Sequence, residues 1–326
     1  MSLYPVNDIM VSVCVVTYNH GKYIGTCLDH ILRQRRKFRI EILIHDDAST
    51  DGAQDVIRAY QKRYPDIIKP ILRVENQYSQ GITNISGAFN FPRAVGKYVA
   101  LTDGDDYWCD DYKLQRQVDY MEAHPECGFT FHSAKVVTED GALVNGELMR
   151  PYHESRVVKP AELVDKATGS PFASFLLRRE IVEKLPDYYV DCPVGDRPLE
   201  LMAADYGDSY YFDEPMSVYR FGIRGSWTEN QMNGDYVEKQ RKYAADMWTM
   251  YHRFDAETGG RFHEACEHAG RRVEFLTAVN TRNFDVIYRP ENADFLQELS
   301  RHDRFFIDFE HRFPKLYHGL RRLLKK

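Results

Sequence analysis

The chain has 326 residues, 43% of them hydrophobic, which is enough to form a large buried core. Its formal net charge is −6, so it lacks the overall positive field that binds nucleic acid, and we expect no nucleic-acid partner. Its six cysteines form no C-x-x-C pair, which indicates reduced thiols in a cytoplasmic protein rather than a disulfide framework or a zinc site. No apolar run is long enough to span a bilayer.

Strands and helices alternate over the first third of the chain. Apolar, β-branched runs at residues 11–16, 40–44, 67–74 and 98–101 predict buried parallel strands. The segments between them carry apolar residues at helical spacing. This alternation predicts an α/β fold, Rossmann-like, with a mainly parallel sheet flanked by helices. From residue 235 onward the pattern is mostly helical.

The second half of the chain is less regular. Residues 127–137 predict one more strand, and Asp140-Gly141 predicts a hairpin turn. Further on, residues 209–212 and 216–219 predict two separate short strands.

The fourth predicted strand ends in an acidic turn. Asp103, Asp105 and Asp106 lie within four positions, and Gly104 allows the backbone to turn tightly between them. Carboxylates this close repel one another unless a cation or hydrogen-bond donors compensate them. Mg²⁺ and Mn²⁺ prefer oxygen ligands, often one or two carboxylates together with substrate phosphates. The turn therefore predicts a metal–diphosphate site; the alternative is an acidic turn that only caps the next helix.

Polar side chains also follow the first two predicted strands. They are Thr17, Tyr18 and Asn19 after the first strand, and Asp46 and Asp47 after the second. Because ligands bind beyond the carboxyl ends of parallel strands, we expect these groups to meet the acidic turn in one crevice. The first turn lacks the Gly-x-Gly-x-x-Gly pattern, which argues against a dinucleotide.

Two later features are also candidates for a site. Asp196 stands at the start of a predicted helix, where it is either an N-cap or a functional carboxylate. Residues 220–227 include Arg220, Arg224, two glycines and a tryptophan. They form either a loop that closes over an anionic ligand or an ordinary exposed loop.

The C-terminal segment, residues 311–326, carries six Lys and Arg residues and no acid, and it has an apolar side. Such a helix can lie on an anionic membrane surface, or it can dock on the body of the protein.

Three segments in register resemble the family 2 glycosyltransferases of the GT-A fold. They read Val-Ser-Val-Cys-Val-Val-Thr-Tyr-Asn at 11–19, Ile-His-Asp-Asp-Ala-Ser-Thr-Asp-Gly at 44–52, and Gly-Lys-Tyr-Val-Ala-Leu-Thr-Asp-Gly-Asp-Asp-Tyr-Trp at 96–108. The resemblance covers roughly residues 11–131. It implies an inverting transferase that uses a nucleotide-diphosphate sugar, with a UDP-sugar favoured, and a divalent metal, Mn²⁺ or Mg²⁺.

The resemblance also implies roles for individual residues. Asp105 would bind the metal, and Asp103 would lie near the ribose or the metal. Asp196 looks like the family's catalytic base. The donor-binding residues implied by the match are Thr17, Tyr18, Asn19, Asp46, Asp47, Asp103, Arg220 and Arg224.

The chain departs from the family pattern at two places. Phe89 stands where many members have an arginine, and Phe221 and Gly222 stand where many have a histidine after a Tyr-Arg pair. These departures leave the diphosphate contacts to other residues, with Arg220 and Arg224 as candidates.

The expected organisation is a GT-A domain over residues 1–225, with a donor half at 1–131 and an acceptor half at 132–225. A mostly helical extension follows over 226–326. The family most often builds surface polysaccharide on a glycan or lipid-linked acceptor. This implies a cytoplasmic enzyme, with peripheral contact at the inner face of the membrane through the basic tail.

Two alternatives to a glycosyltransferase stay open. One is a non-catalytic nucleotide-sugar-binding protein. The other, ranked lower, is a nucleotidyltransferase, which would need a basic, glycine-rich loop after the first strand to hold a triphosphate. The turn at residues 17–21 offers only His20 and the neighbouring Lys22.

Overall fold

The structure is a computed structural model that describes residues 8–166, 169–223, 229 and 234–324. Within these residues the strands are β1 (Ile9–Thr17), β2 (Arg39–Asp46), β3 (Ile68–Leu72), β4 (Tyr98–Asp103), β5 (Tyr107–Trp108), β6 (Cys127–Val137), β7 (Leu143–Met149), β8 (Arg156–Val158), β9 (Leu176–Arg178) and β10 (Asp208–Arg220). The α-helices of the N-terminal part are α1 (Ile24–Leu32), α2 (Ala53–Arg63), α3 (Lys113–Ala123), α4 (Pro160–Asp165), α5 (Arg179–Val182), α6 (Asp187–Val190) and α7 (Asp196–Tyr206). Those of the C-terminal part are α8 (Tyr236–Glu257), α9 (His263–Thr281), α10 (Phe284–Ile287), α11 (Ala293–Glu298), α12 (Arg301–Arg312) and α13 (Pro314–Leu324).

The strands form one sheet in the order β3-β2-β1-β4-β9-β6-β10-β5, with β7 beside β6 and β8 beside β10. The predicted parallel pairing holds for β1 to β4, and β6 and β10 are also parallel. β9 is antiparallel to both β4 and β6, and it joins the two parallel parts. The α/β prediction is confirmed, but the sheet is mixed rather than mainly parallel.

Both faces of the N-terminal strands are buried, as their continuous apolar runs require. Val13 and Val15 of β1 contribute to the core beneath α1, where Leu28 also lies. Cys14 and Leu43 contribute to the larger core on the other face. The alternation of side chains along each strand therefore divides one apolar run between two cores.

The C-terminal region is helical, as predicted, and its first two helices are part of the main core. Met247, Tyr251 and Phe254 of α8 are buried in the same cluster as Leu199 and Leu201 of α7. A separate, smaller core lies farther along the chain and contains Phe275, Ala278, Val286, Ile287, Phe295 and Ile307. In the part of the chain that the structure describes, no helix is long and apolar enough to cross a membrane. The division at residue 226 stays a prediction.

The two short strands predicted at 209–212 and 216–219 are one strand, β10. It is continuous because it pairs with β6 on both sides of an irregularity between Phe212 and Ser217. It also pairs with β8 near its start and with β5 near its end. The segment between β3 and β4 contains a π-helical turn, Ser86–Asn90.

Candidate active site

The predicted strand ends lie side by side. In the parallel register, Thr17 at the end of β1 is the partner of Asp46 on β2, and Val16 is the partner of Asp103 on β4. The polar turns after these strands therefore open at one edge of the sheet, as expected for an α/β ligand site.

Asn19 links the first two turns. Its backbone N–H donates to Ser49 Oγ at 2.8 Å, and its Oδ1 accepts from the backbone N–H of Thr50 at 2.9 Å. Its φ of +56° is one that asparagine tolerates better than most residues. These contacts fix the turn and leave the neighbouring Tyr18 ring 44% exposed at the crevice edge.

Asp46 and Asp47 are buried and already accept hydrogen bonds from the protein. Asp46 accepts from the Ser49 hydroxyl at 2.5 Å and from Gln54 Nε2 at 2.7 Å. Asp47 accepts from the backbone N–H groups at positions 77 and 78, at 2.8 and 3.0 Å. Each carboxylate thus holds the loop beside it, and only its remaining lone pairs are left for a donor.

The acidic turn after β4 is tight because Gly104 lies directly on β1. Its N–H donates to the Val16 carbonyl at 2.8 Å, and a Cβ at this position would lie 2.6 Å from Thr17 Oγ1. Asp106 turns inward and accepts from the backbone N–H of Arg220 at 3.0 Å. Asp106 therefore ties the end of β10 to the acidic turn, a contact that the sequence did not predict.

Three carboxylates at this edge of the sheet, Asp103, Asp105 and Asp196, are close enough for their charges to interact. Burial, together with the charges of Asp105 and Asp196, raises the pKa of Asp103. Burial also raises the pKa of Asp196. Asp196 is far from the acidic turn in sequence, so the fold brings the predicted base and the predicted metal ligands together.

The donor atoms in this crevice fit a hard divalent cation. His20 Nε2 lies 3.7 Å from Asp105 Oδ2, while its buried Nδ1 has no hydrogen-bond partner. The neighbouring carboxylates repel one another, and Mg²⁺ or Mn²⁺, which prefer oxygen ligands, would compensate this repulsion. Among the described residues no three His, Cys, Asp or Glu side chains are grouped as a ready metal site. A metal held by Asp105 and Asp103 would therefore need oxygens from the diphosphate.

Asp196 is the first residue of α7, and Gly195 holds the N-cap position. Its Oδ1 accepts the N–H of the next residue, Arg197, at 2.8 Å, rather than that of the second or third helical residue as an N-cap would. The structure thus does not support the capping interpretation of Asp196.

Arg197 fixes the start of α7. It is buried and donates to Glu200 at 2.6 Å, to the Leu163 carbonyl at 2.8 Å and to the Tyr251 hydroxyl at 2.9 Å. It also donates to the Val164 carbonyl. Because Tyr251 belongs to α8, the C-terminal region helps to hold the residue next to the predicted base.

Asn84 holds the segment that leads into α7, and sequence reasoning missed it. Its Nδ2 donates to the Tyr189 carbonyl at 2.5 Å and to the Cys192 carbonyl at 3.0 Å. A Cβ on Gly195 would lie 3.1 Å from its Oδ1. No local pattern marks this contact, because the partners are more than a hundred positions apart.

Arg220 lies at the crevice. Its guanidinium carbon is 5.0 Å from the Tyr23 ring centre and 5.1 Å from that of Tyr107. Its Nε is buried without a hydrogen-bond partner, so it has a donor to offer to an anion. Arg224, the other arginine of the predicted loop, lies outside the described residues, as do residues 225–228.

A second arginine, missed by sequence reasoning, lies beside Phe89. The Phe89 ring stacks on His45 at 4.5 Å, and the Arg73 guanidinium lies 4.3 Å from the Phe89 ring centre. The Arg73 Nε is buried and has no hydrogen-bond partner. A positive charge is therefore present next to the position where the family pattern has an arginine. The position of Arg73 just after β3 was the available signal.

Comparison with known sequences agrees with this geometry. Residues 12–186 match the model of glycosyl transferase family 2. The chain is 34% identical over 225 residues to an uncharacterised protein of Mycobacterium tuberculosis, and the alignment covers 67% of this chain and 60% of that relative. The chain thus spans about 60% of the length of this relative and of two further mycobacterial relatives that it matches.

Two solved structures share the fold. One is TarS of S. aureus, residues 1–349, in complex with UDP-GlcNAc, with a TM-score of 0.55 and 17% identity over 93% of this chain and 88% of that one. The other is the mannosyltransferase PcManGT of Pyrobaculum calidifontis in complex with GDP-Man and Mn²⁺, with a TM-score of 0.52 and 18% identity over 99% and 92%. The fold is thus of the GT-A type. The chain belongs to glycosyl transferase family 2.

Proposed function

We propose that this chain transfers a sugar from a nucleotide-diphosphate sugar to an acceptor hydroxyl, with inversion at the anomeric carbon. The observation that carries the proposal is the convergence of Asp103, Asp105 and Asp196 in one crevice at the carboxyl edge of the sheet. Family membership and the GT-A fold support it.

The donor side would be built from the turns after β1, β2 and β4. Tyr18 presents an exposed ring to a base, and Asp47 has lone pairs left for a base N–H. Arg220 and Arg73 each have a buried Nε without a hydrogen-bond partner, and they would donate to phosphate oxygens. A UDP-sugar is our first choice of donor, since the TarS structure that shares this fold contains UDP-GlcNAc.

Asp105 and Asp103 would hold a divalent metal, Mn²⁺ or Mg²⁺. When bound, it would stabilise the negative charge that develops on the leaving diphosphate. The similar PcManGT structure contains Mn²⁺ and supports this choice.

Asp196 would act as the general base. In an in-line displacement the acceptor hydroxyl attacks the anomeric carbon opposite the diphosphate, and its proton must go to a base on that face. The raised pKa of Asp196 makes it a better proton acceptor than an ordinary surface carboxylate. The buried Arg197 network and Asn84 would hold this carboxylate in place.

The acceptor side would come from residues 132–225, in the GT-A domain that we assign to 1–225, with 226–326 as its helical extension. A glycan or lipid-linked acceptor in surface-polysaccharide synthesis fits the family and the basic C-terminal segment. Such a role would place the protein in the cytoplasm, at the inner face of the membrane.

The first experiment is a thermal-shift panel of UDP-, GDP-, CMP- and dTDP-sugars, each with and without Mn²⁺. A ligand that binds only the folded protein raises the free energy of unfolding, by about 2.7 kcal/mol at a ligand concentration of a hundred times Kd. It therefore also raises Tm. We expect one nucleotide to raise Tm only when Mn²⁺ is present. The absence of any shift would contradict the donor site. Binding without transfer or donor hydrolysis would favour a non-catalytic nucleotide-sugar-binding protein.

The assigned roles predict different defects for two matched variants. Asp105→Asn should weaken Mn²⁺-dependent donor binding, because it removes a metal ligand. Asp196→Asn should bind donor nearly as the parent does but lose about 10²–10⁴-fold in turnover, because it lacks the base. Donor titration by calorimetry and initial-rate assays measure the two effects. An equal loss of donor binding in both variants would contradict the assignments.

A further inference from the structure

The last two helices carry large apolar side chains on the surface. Phe305 of α12 is 60% exposed, Phe313 between the helices is 54% exposed, and Leu316 of α13 is 55% exposed. Phe306 and Leu320 are also exposed. Single exposed apolar residues need no explanation, but a contiguous apolar surface marks an interaction site.

Aromatic rings form a contiguous row along α12 and into α13. The Phe309 ring centre lies 6.0 Å from that of Phe305, 5.8 Å from that of Phe313 and 6.3 Å from that of Tyr317. Leu316 and Leu320 are four residues apart, so they share one side of α13. We name the residues Phe305, Phe309, Phe313, Leu316 and Leu320 the aromatic strip.

The opposite side of α12 holds it to the protein. Ile307 is buried in the small C-terminal core. Glu310 is buried and forms an ion pair with Arg282 at 3.0 Å. Helix α12 therefore packs on the protein through one face, and the aromatic strip lies on another face that is not needed for this packing.

The segment around the aromatic strip is basic, although the whole chain is acidic. Residues 301–326 contain eight Lys and Arg and three Asp and Glu, whereas the net charge of the chain is −6. Among the described residues, Arg301, Arg304, Arg312 and Lys315 are exposed.

The three acids of this segment leave it with a formal net charge of +5 (eight cations minus three acids), and one of the acids is already paired with a cation outside the segment. Asp308 accepts from the Tyr288 hydroxyl at 2.6 Å, and Glu310 is the buried partner of Arg282. Asp303 accepts from the Ser300 hydroxyl at 2.6 Å at the start of α12. A second copy of this chain would bring the same cations against the strip, so an anionic partner fits better.

We propose that the aromatic strip docks on an anionic lipid bilayer, with its rings in the headgroup region and the cations of α12 and α13 on lipid phosphates. The proposal extends the proposed function, since a lipid-linked acceptor would be met at this surface. It assigns the contact to α12 as well as to the basic C-terminal segment.

The test is co-sedimentation of the full chain with vesicles of equal parts phosphatidylglycerol and phosphatidylcholine, and with vesicles of phosphatidylcholine alone. We expect binding to the anionic vesicles only, and weaker binding as salt is raised. Phe305→Ser and Phe313→Ser should each weaken binding roughly tenfold. This is the loss expected when a phenyl ring that is about half buried in the bilayer is removed. Arg312→Gln and Lys315→Gln should each weaken it about fivefold.

Val95→Ser is the matched control, because Val95 is 60% exposed but lies outside the strip. It should bind vesicles as the parent does. Far-UV circular dichroism should show all of these surface variants folded.

Three outcomes would overturn the proposal. They are no binding to anionic vesicles, unchanged binding in both the Phe305→Ser and the Phe313→Ser variant, and a dimer in analytical ultracentrifugation that these variants abolish. The assay contains no sugar donor, so its failure leaves sugar transfer untouched. If the full chain binds anionic vesicles but transfers no sugar, the proposed function is contradicted instead.

Discussion

Several buried residues of this protein have pKa values moved by burial. Burial raises the pKa of Asp103 and of Asp106, which favours their neutral forms. Burial lowers the pKa of His132, as does the charge of Lys113. His132 is fully buried, its Nδ1–H donates to the Ser133 carbonyl at 2.8 Å, and its Nε2 has no partner. The folded protein therefore keeps His132 neutral.

His132 predicts a specific dependence of stability on pH. Above pH ~6.5 His132 is neutral in the folded and unfolded states, so it contributes no pH dependence. As the pH falls below that value, His132 binds a proton in the unfolded state but stays neutral in the folded state. The free energy of unfolding therefore decreases. We expect His132 to cost about 1.4 kcal/mol of stability between pH 7.5 and pH 5.5.

Urea unfolding of the parent and of His132→Gln at both pH values measures this cost. Only the parent loses this stability at the lower pH, so the stability of the parent minus that of the variant should be smaller by about that amount at pH 5.5 than at pH 7.5. Parallel pH profiles would show that His132 is not the cause. Carboxylates with raised pKa values act in the opposite direction in both proteins, and the comparison cancels them.

At the scale of elements, the site depends on how α7 is held between the β-sheet and helix α8. The predicted base is at the first turn of α7, and the neighbouring Arg197 is bonded to α4 and to Tyr251 of α8. Helix α8 of the C-terminal region therefore contacts the residue beside the predicted base.

Tyr251→Phe tests this link. It leaves the buried Arg197 guanidinium with one hydrogen bond fewer, which should cost about 1–3 kcal/mol of stability. It should also lower turnover while donor affinity stays near that of the parent, because Tyr251 accepts a hydrogen bond from Arg197, the neighbour of the predicted base. Urea unfolding, calorimetric donor titration and initial rates measure the three quantities.

Tyr288→Phe is the control for that experiment. It also removes a tyrosine hydroxyl, one that donates to Asp308 at 2.6 Å near the small C-terminal core. It should change stability without changing turnover. Equal turnover losses in both variants, or none in Tyr251→Phe, would contradict a positioning role for α8.

At the scale of the whole molecule, the sheet and the first two C-terminal helices share one core. Met247, Tyr251 and Phe254 are packed with residues of α7 and of the strands. Elements that bury apolar surface against one another expose that surface at the same time when the protein unfolds. We therefore expect the catalytic part and α8 to unfold in one cooperative transition.

Tryptophan fluorescence can follow the two parts separately. Trp108 lies fully buried beside the acidic turn, and Trp248 lies on α8. Trp227→Phe/Trp248→Phe leaves a reporter in the sheet, and Trp108→Phe/Trp227→Phe leaves one in α8. In each variant the fluorescence midpoint in urea should coincide with the circular dichroism midpoint. Two separated transitions would show that the helical extension unfolds on its own.

Local sequence determined much of the N-terminal part. β-branched runs predict β1 to β4 because such strands are buried on both faces, and the acidic turn at Asp103 and Asp105 is visible because glycine and carboxylates stand together. Parallel strands open at one edge, so the meeting of the β1, β2 and β4 turns could also be predicted. The functional assignment of Asp196 with this group could be predicted only from a family resemblance.

The tertiary structure alone decided the contacts between distant segments. Short β9 enters the sheet antiparallel between β4 and β6, and nothing in its three residues specifies those neighbours. Asn84, Arg73 and Tyr251 look like ordinary polar or aromatic residues until the fold gives them partners. Periodicity in a sequence records which face of an element is buried, but not which other element buries it. That choice is made by the packing of the whole chain, and in this protein it places Asp196 beside the acidic turn.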